Sequence, residues 1–301
     1  GGLDESILPN IYQDFKADCI ISIFDMWALP SFHKIVEQNR MVYIPYIPID
    51  TEELNIQYLE VLKTATKIIP MSEHSERELK KTYPNTTLSN VPVGIDTVFR
   101  QVWKTQEEKN KLKLKIGFSE DTFVIGLAGD IKGHRKSWAE NIEGIKIFKD
   151  KNPNLKLGIY ILTNLSKIKG ADFKVLEIIK KYGLTDNTSH IEQYKYLKGI
   201  TTSELNQLYN SFDVYLSASR GEGYGLMYVE ANAVGTPVIG TNFTSMPQVI
   251  KNGYLAEYGY LEMSQQISKQ AVPDPKSIAE KLELVLKDNN KDKIKSDSEQ
   301  V

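Results

Sequence analysis

Cysteine occurs once in the 301 residues, which excludes a disulfide framework. That residue, Cys19, lies inside the apolar run Cys19-Ile20-Ile21-Ser22-Ile23-Phe24, so a buried thiol in a reducing compartment is expected rather than thiol catalysis. The four histidines, His33, His74, His134 and His190, show no metal-ligand spacing, and no Asp-x-Asp pair stands at a strand end. No stretch approaches the roughly 18 apolar residues of a membrane span, and no signal peptide opens the chain. A cytoplasmic protein is expected, and the Asn-x-Ser/Thr triplets at Asn85, Asn164, Asn187 and Asn242 carry no glycosylation claim. Neither sign of charge dominates: 37 Lys and Arg are mixed with 39 Asp and Glu, for a net charge of -2. No basic face for nucleic acid announces itself, and any anion binding is expected to be local. There is no initial Met, and Gly1-Gly2 leads almost directly into a helical stretch and a strand, so the first domain is expected to be incomplete at its N-terminus.

What is present is an alternation. Hydrophobic residues make up 41% of the chain, enough for two domains of ordinary size. Short apolar runs at 19–24, 41–44, 67–71 and 87–91 suit parallel strands buried on both faces, with helical patterns between them at 52–64 and 73–82. Strand-helix alternation argues an α/β doubly wound sheet, in which ligands sit at the carboxyl ends of strands. That rule selects Asp25-Met26-Trp27, the Pro45–Asp50 loop, Ser72-Glu73-His74 and Val93-Gly94-Ile95-Asp96. Structural roles are open to each: Asp25 and Asp96 fit turn caps and Ser72 fits an N-cap. Taken singly the structural role is favoured, but four polar groups sharing one edge would face an opening rather than a core.

The lysine-rich segment from Arg100 to Ser119 carries no apolar strand and reads as a linker with a short solvated helix. A second α/β unit begins at Phe123–Gly129. The cluster Lys132-Gly133-His134-Arg135-Lys136 comes after it, at a strand-to-helix turn where cations could neutralise a diphosphate. Strand 155–162, helix 173–182, helix 203–209 and strand 213–217 come next, and a final helix spans 275–286. The expected domains are 1–105, with a linker to about 120, and 121–301.

The chemistry is placed in Ser219–Ala231. A buried strand runs into a turn with Gly221, Gly223 and Gly225, and a helix carrying Glu230 leaves it. Glycines admit close backbone approach, and the free N–H groups at a helix start favour negative charge. Two carboxylates, Glu222 and Glu230, flank that turn.

Glu222 and Glu230 enclose seven residues, and with Ala231–Ile239 this run resembles the E-x7-E signature of retaining glycosyltransferases of family four. Val93-Gly94-Ile95-Asp96-Thr97-Val98-Phe99 is similar to the family's hinge segment, Arg135-Lys136 to its R-K-G element, Leu205–Ser219 to its L-x-x-x-Y-x-x-x-D pattern, and Ile44–Asp50 to the loop before its acceptor-side helix. The likeness runs over about residues 17 to 286. Ordered motifs together are more specific than any one of them. Two departures stand out: Gly129 is followed by Asp130 rather than Arg, and Asp25 stands where many members carry His.

The resemblance implies two Rossmann-like domains facing across a cleft (the GT-B type), and transfer of a sugar from a nucleotide sugar, such as a UDP- or GDP-sugar, to a hydroxyl on a glycan, lipid-linked or protein acceptor. It implies retention at the anomeric carbon, no metal or other cofactor, and a cytoplasmic enzyme compatible with peripheral membrane contact. Carried over by position, Glu230 would bind the ribose hydroxyls and Glu222 the donor sugar. Gly223, Tyr224, Gly225, Gly129 and Lys132 would lie along the sugar and diphosphate, and Arg135 and Lys136 would neutralise the leaving phosphate. Asp25, Ser72 and Glu73 fall on the acceptor side. A noncatalytic sugar-nucleotide-binding subunit is the alternative.

Overall fold

A computed structural model describes residues 7–26, 32–131, 133–165 and 174–288. The chain packs as two units. One gathers Gly1–Val93 with Gly221–Tyr224 and Glu262–Gln270; the other holds Gly94–Arg220, Gly225–Leu261 and Ala271–Val301.

The first unit runs α1 (Leu8–Asp14), β1 (Ile20–Ile23), α2 (Phe32–Gln38), β2 (Tyr43–Ile47), α3 (Ile56–Leu59), β3 (Ile69–Pro70) and α4 (Glu73–Lys80). Its three strands are parallel in the order β1-β2-β3, with Ile21 beside Ile44 and Ile47 beside Pro70. Ile47, Ile49, Leu62, Ile68 and Leu79 close the core with almost no exposure. Helix α4 starts cleanly because Ser72 accepts from the Ser75 N–H at 3.1 Å, with Glu73 and Glu76 in the first turn and Arg77 and Lys80 in the last.

Several expectations for this half are corrected. β1 is a sheet edge, and Ile21 and Ile23 on it are 60% and 61% exposed, so it is not buried on both faces. Cys19 is half-buried rather than buried. The run 87–91 forms no strand: Thr87 makes an isolated bridge to Ile68. Within 52–64 only α3 and a 3-10 turn at Glu60–Leu62 are helical.

The second unit runs α5 (Gln106–Leu114), β4 (Phe123–Ala128), α6 (Trp138–Lys151), β5 (Leu157–Leu162), α7 (Val175–Lys181), β6 (Thr188–His190), α8 (Gln193–Lys198), α9 (Thr202–Ser211), β7 (Val214–Leu216), α10 (Leu226–Ala233), β8 (Val238–Thr241), α11 (Met246–Val249), β9 (Gly253–Ala256), a two-stranded β10 (Tyr258–Met263) and β11 (Lys269–Pro273), and α12 (Pro275–Lys287). The tip of that hairpin belongs by packing to the first unit. Six parallel strands lie in the order β6-β5-β4-β7-β8-β9, so the winding direction reverses between β4 and β7. This is the dinucleotide-fold order, whose ligand crevice lies at the reversal.

The strand period of two sorts the core by chemistry. Val214 and Leu216 point to an aliphatic layer with Ile159 and Ile161, covered by Trp138, Ile142 and Phe148 of α6 and Ile278 and Leu282 of α12. Tyr215 points the other way, where its ring meets Tyr209 of α9 at 5.6 Å and Tyr228 of α10 at 6.3 Å.

The segment 100–119 forms the expected short helix, α5, exposed along much of its length but tied to the second unit through one face. Lys109 and Lys113, one turn apart on α5, are both buried and reach Asp213 at 3.6 and 2.8 Å. Lys109 also lies 5.3 Å over the Trp103 ring, and burial pushes its ammonium pKa down while Asp213 pulls it back. Asp213 in turn accepts from the Val124 N–H at 2.8 Å, joining β7 to β4 at the amino end of the sheet. Upstream, the N–H groups of Arg100 and Val102 donate to the side chains of Asn206 and Asn210. Asp213→Ala leaves two buried ammonium groups without their carboxylate. Urea denaturation should show a loss of about 3 kcal/mol or more; a loss within about 0.5 kcal/mol, the range of ordinary surface substitutions, would remove this account of α5.

Candidate active site

At the reversal, two loops leave the sheet from the carboxyl ends of β4 and β7. In the second unit these are 129–137 and 217–220. The start of the first loop is pinned twice: Thr163 Oγ1 donates to the Gly129 carbonyl at 2.5 Å, and the Trp138 indole N–H, from the first residue of α6, donates to the Asp130 carbonyl at 3.0 Å. Ser137 takes a left-handed φ of 47° immediately before α6. Such a conformation in a non-glycine residue costs energy and persists only where its surroundings fix it.

Asn141 supplies much of that fixation. From the first turn of α6 its amide NH2 donates to the carbonyls of Ser137 at 2.8 Å and Ala218 at 3.0 Å, and its Oδ1 accepts from the Ala218 N–H at 3.1 Å. One buried side chain thereby joins the two loops. Two further ties cross the same gap: the Arg220 N–H donates to the Arg135 carbonyl at 2.8 Å, and the Arg220 guanidinium pairs with Glu140 at 2.7 Å, both side chains largely buried. Arg135, half-buried, and Lys136, buried, are thus held at the reversal. Lys136 also packs its stem on Gly129.

Helix α10 opens from Gly225, whose φ of 93° suits glycine and whose missing Cβ leaves room for the Tyr228 ring. No acidic side chain occupies its first turn, and the Tyr228 hydroxyl is tied below to the Ser217 carbonyl at 2.7 Å. Glu230 stands one turn into α10, above Leu226. Both line a recess of about 280 Å³ with Ile95, Asp96, Ile200 and Leu205. Tyr209 donates its phenol to Glu230 Oε2 at 2.9 Å. Burial raises the Glu230 pKa, and the Tyr209 hydrogen bond offsets only part of that rise.

In the first unit, Gly221–Tyr224 lies against the loop after β2. A Cβ at Gly221 would fall 1.8 Å from the Asp50 carbonyl oxygen, and one at Gly223 would fall 2.4 Å from Pro48 Cβ. Both positions need glycine for close approach, whatever else the turn binds. Glu222 is buried and Tyr224 half-buried on this side. Ser72 is fully buried as the α4 cap, Ser75 Oγ accepts from the Ile49 N–H at 3.0 Å, and His74 Nε2 meets the Thr51 carbonyl at 2.9 Å. Burial lowers the His74 pKa, which favours the neutral ring. Asp25, after β1, and Glu73, after β3, are exposed.

The second unit therefore brings Gly129, Arg135, Lys136, Gly225 and Glu230 to one edge of one sheet. Glu222, Gly223 and Tyr224 pack with the first unit, as do Asp25, Ser72 and Glu73. Lys132 lies outside the described residues. Sequence reasoning missed Asn141, the Arg220–Glu140 pair and the Tyr209–Glu230 hydrogen bond; only Tyr209 left a signal, as the tyrosine of the L-x-x-x-Y-x-x-x-D pattern. Among the described residues no group of three or more His, Cys, Asp or Glu is placed to hold a metal, and no helix is long and apolar enough to cross a membrane.

The fold is α/β of the GT-B type, with Rossmann-like units. A glycosyltransferase from Rickettsia africae superposes with a TM-score of 0.71 at 14% identity, over 98% of this chain and 73% of its own. The pneumococcal O-GlcNAc transferase GtfA, solved with UDP and GlcNAc, gives 0.66 at 17%, over 98% and 56%. The family described as Glycosyl transferases group 1 matches residues 108–298, and the chain belongs to it. Among curated relatives, a D-inositol 3-phosphate glycosyltransferase of Paenarthrobacter aurescens is 31% identical over 163 residues, covering 54% of this chain and 36% of its own length. The capsular polysaccharide biosynthesis glycosyltransferase CapM of Staphylococcus aureus is 31% identical over 192 residues, covering 63% and 44%. The chain spans less than half the length of these two relatives.

The environment of Glu230 has a consequence for stability. With its pKa raised in the folded state, the native chain keeps a proton that the unfolded chain has lost, so stability falls as pH rises from the ordinary glutamate range through the native value. Glu230→Gln removes that contribution. Thermal melts from pH 4 to pH 8 should show the variant gaining on the wild type as pH rises; a constant difference would mean that Glu230 is not desolvated.

Proposed function

We propose that this chain carries the donor half of a retaining glycosyltransferase of the E-x7-E family, moving a sugar from a nucleotide sugar to a hydroxyl acceptor. The observation that carries it is one edge of the second unit. Arg135 and Lys136 are latched at the strand-order reversal, and α10 opens beside it with Glu230 one turn in. A nucleoside diphosphate has the matching sequence of groups: ribose hydroxyls for a carboxylate, then phosphates for cations and helix N–H groups. A UDP donor is favoured, since the GtfA structure of the same fold was solved with UDP and GlcNAc.

In the step proposed, the acceptor oxygen bonds to the anomeric carbon on the face from which the diphosphate oxygen departs. The acceptor proton passes to the leaving phosphate, and Lys136 and Arg135 hold the charge that develops there. Fixed cations would then stand where other transferases use a metal. By the same resemblance Glu222 orients hydroxyls of the donor sugar, and the exposed Asp25 and Glu73 are the acceptor-side candidates; Ser72, buried as a cap, is the weakest of that set. A cytoplasmic enzyme working on a glycan, lipid-linked or protein acceptor, at a membrane surface or away from one, completes the proposal.

Thermal shift with a panel of UDP-, GDP- and ADP-sugars tests the donor claim, because a ligand at 100 times its Kd stabilises by about 2.7 kcal/mol. One base should stand out, and a flat panel would count against the site. Lys136→Ala should lower turnover on the order of a hundredfold, with the product anomer unchanged by NMR. Full transfer by both Lys136→Ala and Glu230→Ala would refute the assignment.

A further inference from the structure

Tyr209 is a buried tyrosine that the proposed reaction does not use. It is 1% exposed, and its ring is fixed by neighbours on three sides: Phe99 at 6.1 Å, Phe212 edge-on at 6.4 Å and Tyr215 edge-on at 5.6 Å. Its own helix is anchored by a full capping box, Thr201 with Glu204, and its carbonyl accepts from Thr236 Oγ1 at 2.7 Å. From this fixed ring the hydroxyl reaches Glu230, which lines the recess, and donates to its Oε2 at 2.9 Å. A phenol has two χ angles, both locked here by packing, so its hydrogen bond sets where the carboxylate stands and how its plane is turned. Glu230 by itself has three rotatable bonds and sits on a half-exposed helix face, where the phenol is the restraint on its carboxylate among the described residues.

We infer that Tyr209 is the positioning residue for ribose recognition: through its bond to Oε2 it pre-orients the Glu230 carboxylate toward a vicinal pair of hydroxyls, and so makes the site select a ribonucleotide over its deoxy forms. This rests on the donor-site assignment to Glu230. Two hydroxyls on adjacent carbons demand two acceptor directions at a fixed angle, and a carboxylate already held in one plane loses less freedom on binding them.

The test uses the whole chain. Calorimetric titration with UDP, GDP and ADP identifies the nucleotide that the wild type binds most tightly. That nucleotide and its 2′,3′-dideoxy counterpart are then titrated into wild type, Tyr209→Phe, Glu230→Ala and the double variant. Tyr209→Phe should weaken the ribonucleotide about tenfold, leave the dideoxy form unchanged, and add nothing in the Glu230→Ala background. Equal weakening of both nucleotides, or additive losses in the double variant, would make Tyr209 a core residue only and overturn the inference while the donor site stands. Failure of the wild type to bind any of the three would bring down the donor assignment and the inference with it. Should Tyr209→Phe fail to fold, Glu230→Gln compared with Tyr209→Phe/Glu230→Gln keeps the test, since a neutral amide leaves no unpaired charge. The ribose preference must then fall with loss of the phenol.

Discussion

The reversal of strand order between β4 and β7 is the constraint on which the second unit depends. Neighbouring strands whose connections leave toward opposite faces open a gap at their carboxyl ends. Two loops with their own backbone polar groups must be held in register across it. Asn141 does this with both ends of one amide, and Arg220 with its N–H and guanidinium. A neutral amide suits the buried position, because it satisfies a donor and an acceptor on the facing loop without bringing a charge inside. The Arg220–Glu140 pair is charged and largely buried, an arrangement that contributes register more than net stability.

The glycines of the signature have a second physical reason to be glycines. A turn rich in glycine ahead of a helix invites an anion-site interpretation, since backbone N–H groups can then reach a phosphate. Gly221 and Gly223 also face the Pro48–Asp50 loop at distances that no side chain tolerates, and Gly225 carries the positive φ that starts α10. The four residues Gly221–Tyr224 pack with the first unit although Arg220 and Gly225 on either side belong to the second. Packing and ligand approach place the same demand on these positions, which is why composition alone cannot separate them.

Local period accounts for the part of the fold that was legible in the sequence. β4, β5 and β7 are unbroken apolar runs, and α12 repeats its apolar residues at helical spacing, so their existence and order could be read. The illegible part depends on partners distant in the chain. Lys109 and Lys113 look like solvated charges because Asp213, which draws them inside, lies about a hundred residues on. Ile21 and Ile23 look like core because periodicity says which residues could be buried and not whether anything covers them. At the candidate site, charge and glycine spacing pointed to Glu230, Arg135 and Lys136, which the second unit brings to one edge of its sheet. Nothing local distinguishes Asn141 from any other polar residue in a helix.

The carboxylates themselves show where fold and site part company. Glu204 closes a capping box and meets Lys195 at 2.7 Å, and these donors hold its pKa down to about 2. Glu76 likewise takes bonds from Asn90 and Lys80 and is held at about 2. Both are supplied with donors beyond what ionisation requires, as befits groups whose task is to tie segments together. Glu230 is the reverse case. It is half-buried, no cation among the described residues is paired with it, a single phenol donates to it, and its pKa is pushed upward. A carboxylate left short of donors in a recess keeps acceptor capacity that the protein does not fill. On the proposed donor site, arriving hydroxyls would restore what burial removed, and the deficit that lowers stability would be the same quantity that gives that site its affinity.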